Sequence, residues 1–130
     1  MKQCLLLFFF SFFAVQAFCQ SPECYRFKEG KFKIVDANAG GITVIDRRGN
    51  YQVENNEGMK ATLKFKVTWI DDCTYTLQLD TILRNDNKIA FPKDMILKVK
   101  ITATAKNSYS QESSSNLYDM VYKSEVVKIQ

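Results

Sequence analysis

Apolar and polar residues alternate along most of this chain. Phe32 and Ile34 flank Lys33, and Leu63, Phe65, Val67 and Trp69 are separated by Lys64, Lys66 and Thr68. Tyr75, Leu77 and Leu79 alternate with Thr76 and Gln78, while Leu97, Val99, Ile101 and Ala103 alternate with Lys98, Lys100 and Thr102. A period of two puts each apolar set on one face of an extended strand. The last segment adds Leu117 to Tyr122 and Val126 to Ile129. Turn-forming clusters part these runs: Asn38-Ala39-Gly40-Gly41, Arg48-Gly49-Asn50, Asn55-Asn56-Glu57-Gly58, Asp71-Asp72 and Asn85-Asp86-Asn87. The pattern predicts an all-β chain of about seven to eight antiparallel strands.

Short loops and one-sided alternation favour a meander that curls over its own apolar face into a small, partly open barrel, because only a closed or nearly closed sheet buries that face without a helix. Ser110 to Asn116 is polar and serine-rich, and it is expected to be a hairpin loop. Two long connections are then predicted, Leu83 to Asp94, with Pro92, and Lys106 to Asn116.

Ahead of the strands stands MKQCLLLFFFSFFAVQAFCQ, with a basic Lys2, an apolar run from Leu5 to Val15 broken by Ser11, and the small residues Ala14 and Ala17. These are the features of a secretory signal peptide, and the apolar run is short for a helix crossing a bilayer of roughly 30 Å. Residues 1–19 are therefore expected to be removed and residues 20–130 to form one domain, exported to the periplasm or the cell exterior. Cleavage after Ala17 and cleavage after Cys19 both satisfy the small-x-small rule. The second leaves Cys24 and Cys73 as the remaining cysteines, which can close one disulfide in an oxidising compartment. Phe18 argues against lipid attachment at Cys19, where a small preceding residue is wanted.

Charge narrows the function classes only a little. The whole chain carries +4 and loses one unit with Lys2, which is an ordinary surface rather than a nucleic-acid polycation. Histidine is absent, which removes Ser-His-Asp and Cys-His catalysis and any imidazole zinc site. No glycine-rich phosphate loop is present, and no cofactor is implied. Asp71 and Asp72 are adjacent carboxylates, but neighbours on a tight turn point apart into water, so no enzyme is expected from them. Asn85, Asp86, Asn87 and Asp94 bring several oxygens into one loop without the spacing or the glycine of a calcium hand, so no metal site is expected.

Phe32, Tyr51, Phe65, Trp69 and Tyr75, with Phe27, fall mainly on the apolar phase of their strands, and they are candidates for ligand lining or, more commonly in a small barrel, for core filling. Trp69 stands four residues before Cys73 and is expected to shield the disulfide. Lys64, Lys66, Lys98 and Lys100 form polar stripes on two strands. If those strands are neighbours, the stripes make a basic patch for an anionic partner; the plainer expectation is a solvated sheet face.

The series Cys24-x-x-Phe27-x-x-Gly30-Lys31-Phe32, Ile45-x-Arg47, Tyr51-Gln52-x-Glu54, Val67-x-Trp69-Ile70-x-Asp72-Cys73-x-Tyr75-x-Leu77 and Asn107-Ser108-Tyr109 resembles small exported β-rich proteins of Bacteroidetes-type bacteria, across nearly all of residues 20–130. That resemblance implies a signal peptide, one β domain and matching cysteines. Some members carry a topoisomerase label, which the missing ATP site and acidic metal cluster argue against here. Gly30-Lys31-Phe32 is also similar to the Gly-x-Trp opening of lipocalin-like barrels, which implies a barrel with a small apolar ligand in its concave face. The expected function is a non-catalytic binding module for a small apolar ligand or an envelope protein, with a ligand-free structural accessory of the envelope as the alternative.

Overall fold

Eight strands form, all but the serine-rich one in stretches that turn-forming clusters bound. The computed structural model describes residues 20–36 and 41–130. The strands are β1 (Gly30–Asp36), β2 (Gly41–Arg48), β3 (Tyr51–Asn56), β4 (Ala61–Asp71), β5 (Thr74–Asn85), β6 (Ile96–Thr104), β7 (Ser108–Ser115) and β8 (Val121–Lys128). Each pairs antiparallel with its sequence neighbour, and β8 returns to β1, so the meander closes into a barrel. Closure removes the free edges that an open sheet of this size would expose. The expected signal segment, residues 1–19, lies outside the described residues.

Turn chemistry sets the registers at one end. Arg48 pairs with Tyr51 across the two-residue Gly49-Asn50 turn, and Gly49 takes a φ of 55°, the left-handed geometry that matches the twist of a hairpin. At the β4–β5 turn, Asp71 Oδ1 accepts the Cys73 amide at 2.9 Å, an Asx turn that fixes the corner. A short 3-10 helix, Cys24–Phe27, folds across this end and plugs it. The plug is stapled by the Cys24–Cys73 disulfide, with an S–S length of 2.07 Å and Cα atoms 5.3 Å apart. Closing a loop of 49 residues contributes about 4 kcal/mol in the chain-entropy picture.

Two buried clusters follow from the inward faces. Cys24, Phe27, Phe32, Ile45, Ile101, Tyr109 and Val126 pack at the plugged end, with Trp69 and Cys73 against them. Phe65, Val67, Tyr75, Leu77 and Val99 form the second, with Trp69 bridging the two. Trp69 therefore packs against the cluster that contains Cys24.

The serine-rich stretch is a strand rather than a loop. Ser108–Ser115 pairs on both sides, with β6 and with β8. Its inward positions, in phase with the buried Tyr109, are Gln111, Ser113 and Ser115, so no apolar alternation marks it. The Lys106 to Asn116 connection shrinks accordingly to the tight turn between Thr104 and Ser108. The Leu83 to Asp94 connection is also shorter than expected, because β5 runs on to Asn85, with pairing irregularities after Leu79 and Ile82 that bend its end.

Candidate functional site

The two ends of the barrel differ in what points inward. At the plugged end Arg47 is fully buried. Its Nε donates to Gln52 Oε1 at 2.6 Å, Nη1 to the Phe27 carbonyl at 2.8 Å, and Nη2 to the Tyr75 and Tyr109 hydroxyls at 2.7 and 3.1 Å. The guanidinium lies 4.6 Å from the Tyr75 ring centroid and 5.0 Å from that of Phe32. Such a forked, aromatic-lined cradle suits arginine, whose planar donors are satisfied without water. Burial opposes the charge, but Tyr75, Tyr109 and Glu54 together hold the Arg47 pKa above its usual value.

From this cradle a polar relay climbs β3. Gln52 Nε2 donates to Glu54 Oε1 at 2.7 Å, and Asn56, two residues on, donates to Thr43 Oγ1 at 2.9 Å. Glu54 is half-buried as a residue while its carboxyl is enclosed, and burial pushes its pKa up despite the Gln52 hydrogen bond and the Arg47 charge. The inward face of β3 is thus Gln52, Glu54 and Asn56, the reverse of what hydropathy suggests.

That reversal corrects one of the aromatic candidates. Tyr51 points outward and is 43% exposed, with Lys64 Nζ 4.2 Å above its ring, because Gln52 takes the inward position opposite Phe65. Phe32, Phe65 and Tyr75 are buried and Trp69 is half-buried, all in the packed core. The four lysines do not lie on neighbouring strands. Lys64 and Lys66 lie on β4 and Lys98 and Lys100 on β6, and β5 runs between them with Thr76 opposite Lys98 and Gln78 opposite Lys66. Two strand spacings separate the stripes by about 10 Å.

The other candidate oxygens are engaged locally. Asp71 caps its turn, and its carboxyl is held below the usual range, first by the Cys73 amide and then by Thr74. The Asn85 side chain bonds both the amide and the carbonyl of Ile89, and Asp86 pairs with Arg84 at 3.0 Å.

At the open end the interior is not filled. Leu63, Leu79 and Leu97 are half-buried, and Ile82, which shares the Leu63 register, is 39% exposed. A recess of about 360 Å³ opens beside Leu97. Its walls include Met95, Leu97, Ser113, Tyr118, Met120 and Tyr122, supplied by the start of β6, the end of β7 and the β7–β8 connection. The rim is apolar and exposed: Leu117, Tyr118, Met120, Val121 and Tyr122 are each 41–61% accessible. Sequence reading missed this site because its walls mix serines with the apolar residues of a connection.

A larger hollow of about 880 Å³ lies where β1 and β8 part. Among the described residues their pairing stops at Ile34–Val126, and Lys33, Asp36, Lys123 and Glu125 border the gap. Val35, Tyr122 and Val127 line it between these charges. Compared with protein-family models, with curated proteins and with solved structures, the chain matches none of them.

Proposed function

We propose that this protein is an exported, non-catalytic binding module that takes a small, mainly apolar ligand into the open end of its barrel. The recess of about 360 Å³ carries the reading, since ligand sites are concave, mostly apolar and largely pre-formed. Its volume is at the small end of the usual range, so the ligand is a single chain or ring rather than a bulky lipid. Export is supported by the Cys24–Cys73 disulfide, which persists in oxidising compartments. The reading includes membership of the small exported β-rich proteins of Bacteroidetes-type bacteria that the residue pattern resembles.

Native mass spectrometry of protein purified from its own periplasm tests the function. The expected spectrum contains a second species, heavier by one small molecule, which collapses to the bare mass for a Met120→Asp variant. A bare mass alone, together with no uptake of added apolar probes, would contradict the proposal.

A further inference from the structure

We infer that the open seam between β1 and β8 is a docking edge, which takes an extended segment of another protein as an added strand paired antiparallel with β8. β8 pairs with β7 from Ser114–Val121 to Ser108–Val127, but with β1 only from Ile34–Val126 to Phe32–Lys128. Beyond Ile34, β1 stays with β2 through Val35–Ile42 and Asp36–Gly41. Each strand is thus held by its other neighbour, and the two part around the hollow of about 880 Å³. The Lys128 amide donates to Asn107, on the β7 side, and the Ile129 amide to Lys31, on the β1 side. Alternation along β8 therefore aims the backbone N–H and C=O groups of Lys123 and Glu125 at the seam. Among the described residues, no strand pairs with them there. Ladder groups left open on an edge are the template that strand addition uses.

The side chains around the seam say what kind of strand it takes. Tyr122 is in phase with the buried Val126 yet 60% exposed, and it lines the hollow, so an apolar side chain of the added strand can cover it. On the outer face, Val35, Ile42, Val44 and Val127 surround Lys33 and are 37–67% exposed, an apolar strip beside the seam. Lys123 and Glu125 also point outward. Lys123 Nζ stands 3.8 Å from Glu112 on β7, a contact that leaves the lysine side chain 79% exposed. An antiparallel strand with a basic residue opposite Glu125 and, two residues later, an acidic one opposite Lys123 matches both charges. A second copy of this chain does not: antiparallel self-pairing confined to residues 121–125 is centred on Lys123 and sets two lysines against each other. The occupant is therefore a segment of a different protein, in contact over about five residues, or about 17 Å.

The test uses the disulfide-intact protein and a capped peptide, Thr-Val-Arg-Val-Glu-Val-Thr, whose arginine and glutamate would meet Glu125 and Lys123. In the free protein the Lys123 and Glu125 amides are expected to exchange rapidly with deuterium, and the Ser124 amide, which points to β7, slowly. The peptide is expected to slow exchange at Lys123 and Glu125 at least about tenfold. The same peptide N-methylated at its arginine and glutamate keeps every side chain but loses the donors that face β8. It is expected to bind at least about tenfold more weakly in calorimetric titration. Lys123→Glu is expected to weaken the first peptide about threefold and to strengthen a version with arginine at both charged positions. Slow exchange at Lys123 and Glu125 in the free monomer would overturn the open edge. Equal binding of the methylated peptide, binding without protection of those two amides, or no binding at about 1 mM peptide would overturn strand addition. A dimer in analytical ultracentrifugation that protects the same amides would assign the edge to a second copy and overturn the proposal as well.

Discussion

At the plugged end of the barrel, Phe32, Ile45, Arg47, Tyr75, Ile101 and Val126 are each 0–2% exposed, whereas inward positions at the open end include the half-buried Leu63 and Leu97, Ser113 and an Ile82 left 39% accessible. One sheet supplies both regions, and the same eight strands run through them. The difference lies in the side chains each strand offers along its length. At the plugged end, aromatic rings, a sealed guanidinium and a disulfide-tied helix fill the space to native density. At the open end, β3 turns Glu54 and Asn56 inward, and the recess opens on the other side, where β7 turns serines inward. The fully buried side chains are concentrated at the plugged end, and the recess proposed to bind lies where little stability is at stake.

The largest expected effects sit at the plugged end. Arg47→Met would leave Gln52, two tyrosine hydroxyls and the Phe27 carbonyl without their donor, and it is expected to destabilise by about 4 kcal/mol in urea denaturation. A cost under about 1 kcal/mol would show that the cradle closes over an apolar side chain equally well. Cys24→Ala is expected to cost about 4 kcal/mol, read from the midpoint shift against the native protein and abolished when both are measured in reductant. Ile101→Ala should cost about 3 kcal/mol because its neighbours cannot collapse into the gap.

The same measurement at the open end should give much less. Ser113→Val is expected within about 0.5 kcal/mol of the native stability, since the side chain borders a recess rather than a packed core. A loss comparable to that of Ile101→Ala would erase the contrast between the two ends.

A pH dependence sharpens it further. Burial raises the Glu54 pKa above its ordinary value near 4.5, so folding favours the protonated carboxyl. The ionised form is thus penalised once pH rises above the unfolded value, and the penalty is absent below it. Glu54→Gln is expected to raise the melting temperature at pH 7 and to leave it unchanged near pH 4. A lower melting temperature at pH 7 would mean that the Arg47 charge outweighs the desolvation of Glu54.

Much of this architecture is legible in the sequence. β4, β5 and β6 announce themselves because their inward faces are apolar, and the disulfide follows from two cysteines left once a signal segment is removed. β7 does not announce itself, because Gln111 is a buried polar side chain, Ser113 and Ser115 line a recess, and hydropathy alternation measures only burial in an apolar interior. β3 misleads in the opposite direction: Tyr51 and Val53 are in phase with each other, yet Gln52 and Glu54 take the inward face because Arg47 needs acceptors there. Arg47 itself is in phase with Ile45, and the combination of an inward arginine and an inward glutamine across a two-residue turn is the cue that a buried polar relay was present. The places where hydropathy fails are the buried polar relay of β3 and the serine wall of the recess.

The most direct test of the two-ended account is amide chemical-shift mapping of the isotopically labelled protein during titration with decanol. The account predicts shifts clustered at Leu97, Ser113, Met120 and Tyr122, with Phe27, Phe32, Arg47 and Ile101 unmoved. Shifts centred on the plugged end, or none at saturating decanol, would contradict it.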